Sequence, residues 1–398
     1  MNETGKLIRF YKTGGPEVLR VEDVRRPHPV GNEVVIRVRA LALSRLDLLW
    51  REGSYCEEPQ FPAQIGYEAA GVVESVGPEV KSLKVGDPVS TFPAVSLTDY
   101  AAHGETILYP ESALLAYPQN LTPEQAAAAN TGLFTAYFAL VELACLKPDQ
   151  HVVVSAAGSS MGVAALQMVK AVGAKSIAVT RSEGKQEGLL AAGADQVLIA
   201  GREDVQEAIF ARTEGLGAEV IYDAVGGPGL EELIWATKRF GWVIVYGQLG
   251  AMENGTPFPL GACALRGLKV HASFRVFDFT GHPKLGLPPR AEAVERAKRF
   301  ISDGLAAGRF SPKIDRVFVG LDEYAAAHRY MQKDARIGKV VISLGGLKSN
   351  VNSGGAGRFL LSFAPAGMAP GRSSRGLTRA EATPRHRLVR SAVALPSH

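Results

Sequence analysis

The chain has 398 residues, of which 46% are hydrophobic and 21% charged, with a formal net charge of +4. That apolar share builds complete cores and excludes global disorder, and the length predicts two to three domains. The charge is unevenly placed: residues 345–398 carry Lys348 and seven arginines against Glu381, a net of +7, which leaves 36 basic and 39 acidic groups in residues 1–344, a net of −3. The body is mildly acidic and the basic character belongs to a tail, so the total charge argues for no acidic partner of the body. Cys56, Cys145 and Cys263 lie far apart with no CxxC pair, which excludes a cysteine-rich zinc site and a disulfide framework and points to a reducing, cytoplasmic compartment. The N-terminal MNETGKLIRFYK has no apolar leader. The apolar stretch 126–146 is broken by Asn130, Thr131, Gly132 and Glu142, so it reads as a buried helix, and no membrane partner is expected.

Residues 1–120 read as β-rich. Strand-like runs at 34–41 (VVIRVRAL) and 69–77 (AAGVVESVG) lie between Pro/Gly turns such as Gly14-Gly15-Pro16, Pro27-His28-Pro29 and Gly86-Asp87-Pro88. Strands without intervening helices predict an antiparallel, barrel-like module. Near Leu121 the texture changes: Thr122 is an N-cap, Pro123 takes the first helical position, and Glu124 and Gln125 follow. From about 150 to 270 strands and helices alternate. A strand in 151–157 leads to a helix over 161–173 closed by Gly173, then a strand at 176–180, a helix over 185–194, and the runs QVLIA, AEVIYDAV and WVIVYGQLG. That order predicts an α/β class, doubly wound parallel sheet covered on both faces. After 270 come VHASFRVFDF, a helix around AEAVERAKRFISDGLAAG, a strand KIDRVFVG, a helix DEYAAAHRYMQKD and a closing strand GKVVISL. Beyond Leu344 the Gly, Ser, Pro, Ala and Arg content without periodicity predicts a disordered C-terminal tail.

The stretch VVVSAAGSSMG (152–162) joins a strand to a helix. Free N–H groups and the positive end of a helix dipole suit a pyrophosphate there. In the dinucleotide fingerprint Gly-x-Gly-x-x-Gly the three slots hold Ala157, Ser159 and Gly162, so only the last glycine is kept. Ala156, Ala157, Ser159, Ser160, Met161 and Gly162 are the candidate cofactor contacts. The other reading is a tight βα turn that binds nothing. An NAD site calls for an acid about 20 residues on. Here the next strand runs into Arg181 and Ser182, with Lys185 one turn later, which suits a 2′-phosphate; Glu183 dissents. Cations at a helix start oppose its dipole, and a bound phosphate removes the conflict. The expected cofactor is NADPH.

Taken together, these blocks resemble the medium-chain dehydrogenase/reductase superfamily, in its zinc-independent quinone oxidoreductase (zeta-crystallin-like) branch. The likeness spans about 1–344, through GGPEVLRVEDV (14–24), GNEVVIRVRALALSRLDL (31–48), FPAQIGYEAAGVVESVG (61–77), VGDPV (85–89), TAYFAL (135–140), the loop at 152–162, AAGAD (191–195), VIYDAVGGP (220–228) and GKVV (338–341). It implies a GroES-like β-barrel catalytic domain from 1–122 and 275–344, a Rossmann NADP-binding domain at 123–274, and an active site between them. Zinc-dependent members hold their metal with a Cys, a His and a later Cys. The matching positions here are Ser44, Tyr67 and Thr131, none a good zinc ligand, so no metal is expected. The implied reaction is hydride transfer from NADPH to a quinone or an α,β-unsaturated carbonyl. The protein has to orient two π systems and offer a proton donor.

Tyr55 and Tyr67 are the candidate donors, or else they only line the pocket. Ser44 and Asp47 shape the nicotinamide end, as the resemblance implies; Asp47 either contacts the cofactor or fixes its own turn. Thr135 and Gly247 approach the nicotinamide ring. Lys339 either meets a cofactor phosphate or is a solvated strand residue. Asp223 reads as a strand-end acid that serves structure. The resemblance also implies a homodimer joined through a strand near 271–279. Two other functions stay open. A trans-acting enoyl reductase on a thioester needs a basic rim, against which the body's −3 charge argues, although the basic tail could supply it. A cofactor-binding protein of low activity would use the tail's arginines to hold nucleic acid. Aromatics such as Phe359 are too few there for a stacking platform, so nucleic acid is not the expected partner.

Overall fold

Glu33–Leu43 sets Val, Ile and Leu against Arg37 and Arg39 along eleven residues, and it becomes the central strand of a seven-stranded sheet. The computed structural model describes residues 4–250, 258–332 and 336–345. The sheet order is Ile314–Val319, Lys339–Ser343, Glu33–Leu43, Glu68–Val76, Pro88–Thr91, Leu114–Ala116, with Thr106–Pro110 also paired to Glu33–Leu43. Its pairings are antiparallel apart from Ile314–Val319 on Lys339–Ser343. The return segment thus completes a GroES-like barrel begun by the first 116 residues.

The second sheet has six parallel strands in the order Gln196–Ile199, Lys175–Thr180, His151–Val154, Ala218–Asp223, Thr237–Val245, Lys269–His271. The chain enters at His151–Val154, winds outward on one side, and crosses to Ala218–Asp223. This is the doubly wound Rossmann plan, and its switch point lies between those two strands. The fold class is the expected one.

Helix α1 (Arg45–Glu52) starts at a capping box made by Ser44 and Asp47. Helix α2 (Pro123–Ala136) starts at Thr122, whose hydroxyl accepts from Gln125 N while the Gln125 side chain takes Thr122 N. It runs on through a π-helical stretch, Tyr137–Leu143. The 21-residue span is long and apolar enough to cross a membrane by length and composition, but most of it is buried inside the protein. It packs on Glu33–Leu43, on Glu68–Val76 and on α3 (Ser160–Val172). One core therefore holds Leu43 and Tyr67 of the barrel together with Phe134, Val154 and Leu166. The described residues all belong to one compact unit. The tail reading, 345–398, falls outside the described residues apart from Gly345.

The expected strand near 271–279 needs correction. The strand covers only Lys269–His271, and Phe277–Thr280 is a short helix. Phe274, Val276, Phe277 and Phe279 are all buried, so strand alternation cannot hold. The aromatics turn into the core shared with the barrel, and Thr280 donates to Pro93 O at 2.8 Å.

Candidate functional site

The apolar strand His151–Val154 stops at Ser155, whose hydroxyl donates to the Asp223 carboxylate and accepts from Ala224 N at 2.8 Å. Asp223 also takes the amides of Val225 at 3.2 Å and Gly226 at 2.6 Å, so this acid holds a loop. Ala156 then adopts φ +45° and turns the chain toward α3. Ser159 caps that helix, accepting Gly162 N at 3.0 Å. A Cβ on Gly162 would lie 2.6 Å from Ala157 O, which explains why this glycine of the fingerprint is kept. Ala157 is buried, while Ala156, Ser159, Ser160 and Met161 are half-buried around the first turn. Gly247 passes over the end of the neighbouring strand, where a Cβ would meet Ala224 O at 2.6 Å.

Arg181 and Ser182 are exposed beyond Lys175–Thr180. Lys185 leans back over the loop: a Cβ on Gly158 would lie 3.2 Å from Lys185 Cδ and 3.6 Å from its Nζ. The dissenting acid, Glu183, is ion-paired with Arg202. Arg202 went unread in the sequence because it lies one strand further on.

The barrel end of the site is built from buried side chains. Asp47 accepts from Ser44 N at 2.6 Å and from Ser44 Oγ at 3.2 Å. It therefore fixes the turn into α1, while its other oxygen has no partner among the described residues. Burial lifts the Asp47 carboxyl to about 6, opposed by the Ser44 hydrogen bonds and by Lys339. The reading of Lys339 as a solvated strand residue does not hold. It is 2% exposed, and its ammonium pairs with Glu68, itself 1% exposed. The physical reason is that Lys339–Ser343 is buried at every position, so no residue on it is solvated. Burial raises the Glu68 carboxyl against the pull of Lys339, and the Thr131 hydroxyl faces the same carboxylate.

Tyr67 is fully buried, and its hydroxyl lies 3.4 Å from that of half-buried Tyr55. Burial holds both phenols well above the ordinary tyrosine range. Phe277 packs on Tyr67 with ring centroids 5.9 Å apart. Glu57, unread in the sequence, anchors this corner: its buried carboxylate meets His282 Nε2 at 2.9 Å and the Ser96 hydroxyl. Thr135 Oγ donates to Thr131 O at 2.6 Å, so its hydroxyl is used within α2.

Two sets of candidates thus gather. Ala156 to Gly162, Lys185 and Gly247 surround the loop. Ser44, Asp47, Tyr55, Tyr67, Thr131 and Lys339 share the barrel end. The return segment links the two, since Gly338 N donates to Gly158 O at 3.1 Å and the next residue is Lys339.

A Rossmann sheet joined to a GroES-like barrel is an alcohol-dehydrogenase-like architecture, that of a two-lobed oxidoreductase. A zinc-binding dehydrogenase family model matches residues 160–282, and an alcohol dehydrogenase GroES-like domain model matches residues 31–150. Quinone oxidoreductase 1 of Escherichia coli is 34% identical over 248 residues, 62% of this chain and 74% of that protein. The crystal structure of Escherichia coli quinone oxidoreductase complexed with NADPH matches with a TM-score of 0.73 at 28% identity, over 85% of this chain and 100% of that one. A structure described as an NAD-dependent alcohol dehydrogenase matches with a TM-score of 0.72 at 28% identity, again over 85% and 100%. The chain belongs to the medium-chain dehydrogenase/reductase superfamily, in its quinone oxidoreductase branch.

The family name invites a metal test. Ser44, Tyr67 and Thr131 offer neutral hydroxyls where a zinc site needs thiolate or imidazole, and the Ser44 hydroxyl is already bonded to Asp47. This donor set does not fit zinc. A dinucleotide fits better: small residues line the loop, α3 presents its first-turn amides, and Lys185 overhangs Gly158.

Proposed function

We propose that the protein is an NADPH-dependent reductase that delivers hydride to a quinone or an α,β-unsaturated carbonyl without a metal. The observation that carries this reading is the Tyr55–Tyr67 pair, two neutral phenols 3.4 Å apart, of which Tyr67 takes the position where zinc-dependent relatives place a ligand. Bound NADPH supplies a hydride to an electrophilic carbon of the acceptor. Electron density moves through the conjugated system to the acceptor oxygen, and one proton completes the reduction. Both phenols are protonated at neutral pH, as any tyrosine is, and burial makes them weaker acids still, so their first role is to donate hydrogen bonds to the oxygen where charge develops. Tyr67 points inward and Tyr55 is half-exposed, so a proton given up by Tyr67 is replaced through Tyr55. Asp47 and Ser44 hold the turn that carries α1, and the Glu68–Lys339 pair keeps a fixed charge pattern behind it. Lys185, with Arg181 and Ser182, favours the 2′-phosphate of NADPH.

The working form we propose is a cytoplasmic homodimer. The edge strand Lys269–His271 is flanked by exposed Phe240, Leu260 and Leu265, an apolar border suited to a second copy.

The test follows NADPH absorbance with an ortho-quinone, a simple enal and an enoyl thioester, with NADH in parallel. Consumption with the quinone or the enal is expected. No consumption with any acceptor sinks the reading. Turnover with the thioester alone replaces the acceptor class, and a preference for NADH removes the role given to Lys185 and Arg181.

A further inference from the structure

Tyr246 is the first residue after Thr237–Val245, and its amide donates to Asp223 O at 2.8 Å. It therefore stands at the carboxyl end of the parallel sheet, beside the strand that borders the switch point. Its ring stacks on Tyr222, with centroids 4.1 Å apart and planes 20° apart, so the side chain is held in one place. The Tyr246 hydroxyl is buried and has no hydrogen-bond partner among the described residues. The Ser159 hydroxyl faces it and can donate to its oxygen, and the Asp223 carboxylate lies nearby, so it is the phenolic proton of Tyr246 that has no acceptor. Asp223 is already committed to Ser155 and to the amides of Val225 and Gly226. Ser159 Oγ accepts from Gly162 N, which leaves its own proton to donate.

Two hydroxyl donors therefore stand together at the N-terminus of α3, a 13-residue helix, where the amides and the dipole already favour an anion. A buried donor without an acceptor is costly, and a phosphate oxygen satisfies it. This inference rests on the cofactor reading above. We infer that Tyr246, together with Ser159, hydrogen-bonds the pyrophosphate of the dinucleotide. Side-chain donors thereby serve a loop in which Ala157 and Ser159 replace two glycines of the fingerprint.

The experiment compares wild type, Tyr246→Phe, Tyr222→Phe and Ser159→Ala in fluorescence titrations with NADPH and with 2′-phospho-ADP-ribose, which keeps the pyrophosphate and lacks the nicotinamide. Tyr246→Phe keeps the stacked ring and removes only the hydroxyl. It is expected to weaken both ligands roughly tenfold, the scale of a hydrogen bond to a charged group. Tyr222→Phe removes the neighbouring hydroxyl and is expected to bind both ligands as wild type does. Thermal melting of the unliganded proteins checks the fold. Should Tyr246→Phe not fold, Ser159→Ala carries the test, with the same loss expected on both ligands.

Wild-type affinity in Tyr246→Phe overturns the inference while the cofactor reading stands. So does a loss confined to NADPH, which would move the hydroxyl's partner to the nicotinamide half. An equal loss in Tyr222→Phe overturns it as well, because the buried Tyr222 hydroxyl would then matter as much and the effect would not be specific to Tyr246. Failure of the wild type to bind either ligand removes the cofactor reading itself.

Discussion

At the loop end of the site, residues 155–162 present backbone amides and small side chains; at the barrel end, Asp47, Tyr67, Glu68 and Lys339 present buried ionisable side chains. The loop is shaped by close approach, as the 2.6 Å distance from a Gly162 Cβ to Ala157 O shows. The barrel end is shaped by charge, with Lys339 and Glu68 paired at 2% and 1% exposure and Asp47 nearby. A phosphate site can be made of backbone because an anion needs donors in fixed positions. A proton-handling site needs groups whose ionisation the protein sets, and only side chains provide that. Changes at the barrel end should therefore cost stability, whereas changes to the loop's charged neighbours should cost affinity.

The largest effect is expected at the buried ion pair. Lys339→Met leaves the Glu68 carboxylate buried without its cation, beside a second buried carboxyl at Asp47. Breaking such a pair typically costs about 3–5 kcal/mol, and urea unfolding at pH 7 measures it. Adding Glu68→Leu to the same chain should recover most of the loss, since two apolar groups replace two charges. A single variant as stable as wild type would show that Glu68 is neutral in the fold.

The two ends also differed in how far the sequence revealed them. Strand, turn and helix at 151–173 follow from local signals: an apolar run, small residues, a Ser cap and a closing Gly173. The barrel end depends on pairings across 200 residues or more, as with Lys339 on Glu68 and His282 on Glu57. No local pattern announces such contacts, and a lysine beginning a strand reads as solvated until both faces of the strand are seen covered. Segment 271–279 failed for a related reason. Its aromatics suit a strand, and only the shared core turns them into a short helix. Asp47 was half legible: its spacing from Ser44 marks a capped turn, but its burial does not show in the sequence.

Acid sharpens the comparison, because the barrel end alone holds opposing titrations. His103 and His328 are buried, and burial depresses both, His103 to about 4 and His328 well below the ordinary histidine value. His103 Nδ1 contacts the Tyr324 hydroxyl, and His328 Nδ1 accepts from Arg51. The unfolded chain protonates both near 6.5 and the native protein does not, so their contribution is full above that pH and is lost as pH falls toward 4. Asp47, raised to about 6, has the opposite sign, since the native protein binds its proton between about 6 and 3.8 while the unfolded chain does not. Asp47→Asn should therefore steepen the fall of the urea midpoint between pH 6 and 4.5. The change is at most one proton, or about 1.4 kcal/mol per pH unit. An unchanged slope would mean that Asp47 stays ionised in the native state.

The smallest effect belongs to the loop end, where Lys185 lies over Gly158 without burying a charge. Lys185→Gln removes one cation from a half-exposed place, so unfolding should be unaffected. A screened contact of this kind is expected to weaken NADPH by about three- to tenfold. The comparison with NADH then locates the contact. Unchanged NADH affinity puts the ammonium on the 2′-phosphate, as Arg181 and Ser182 beside it suggest. An equal loss for both cofactors puts it on the pyrophosphate that the Gly158 turn would hold. In that case the discrimination between NADPH and NADH would pass to Arg181, and Arg181→Gln should show the selective loss that Lys185→Gln did not.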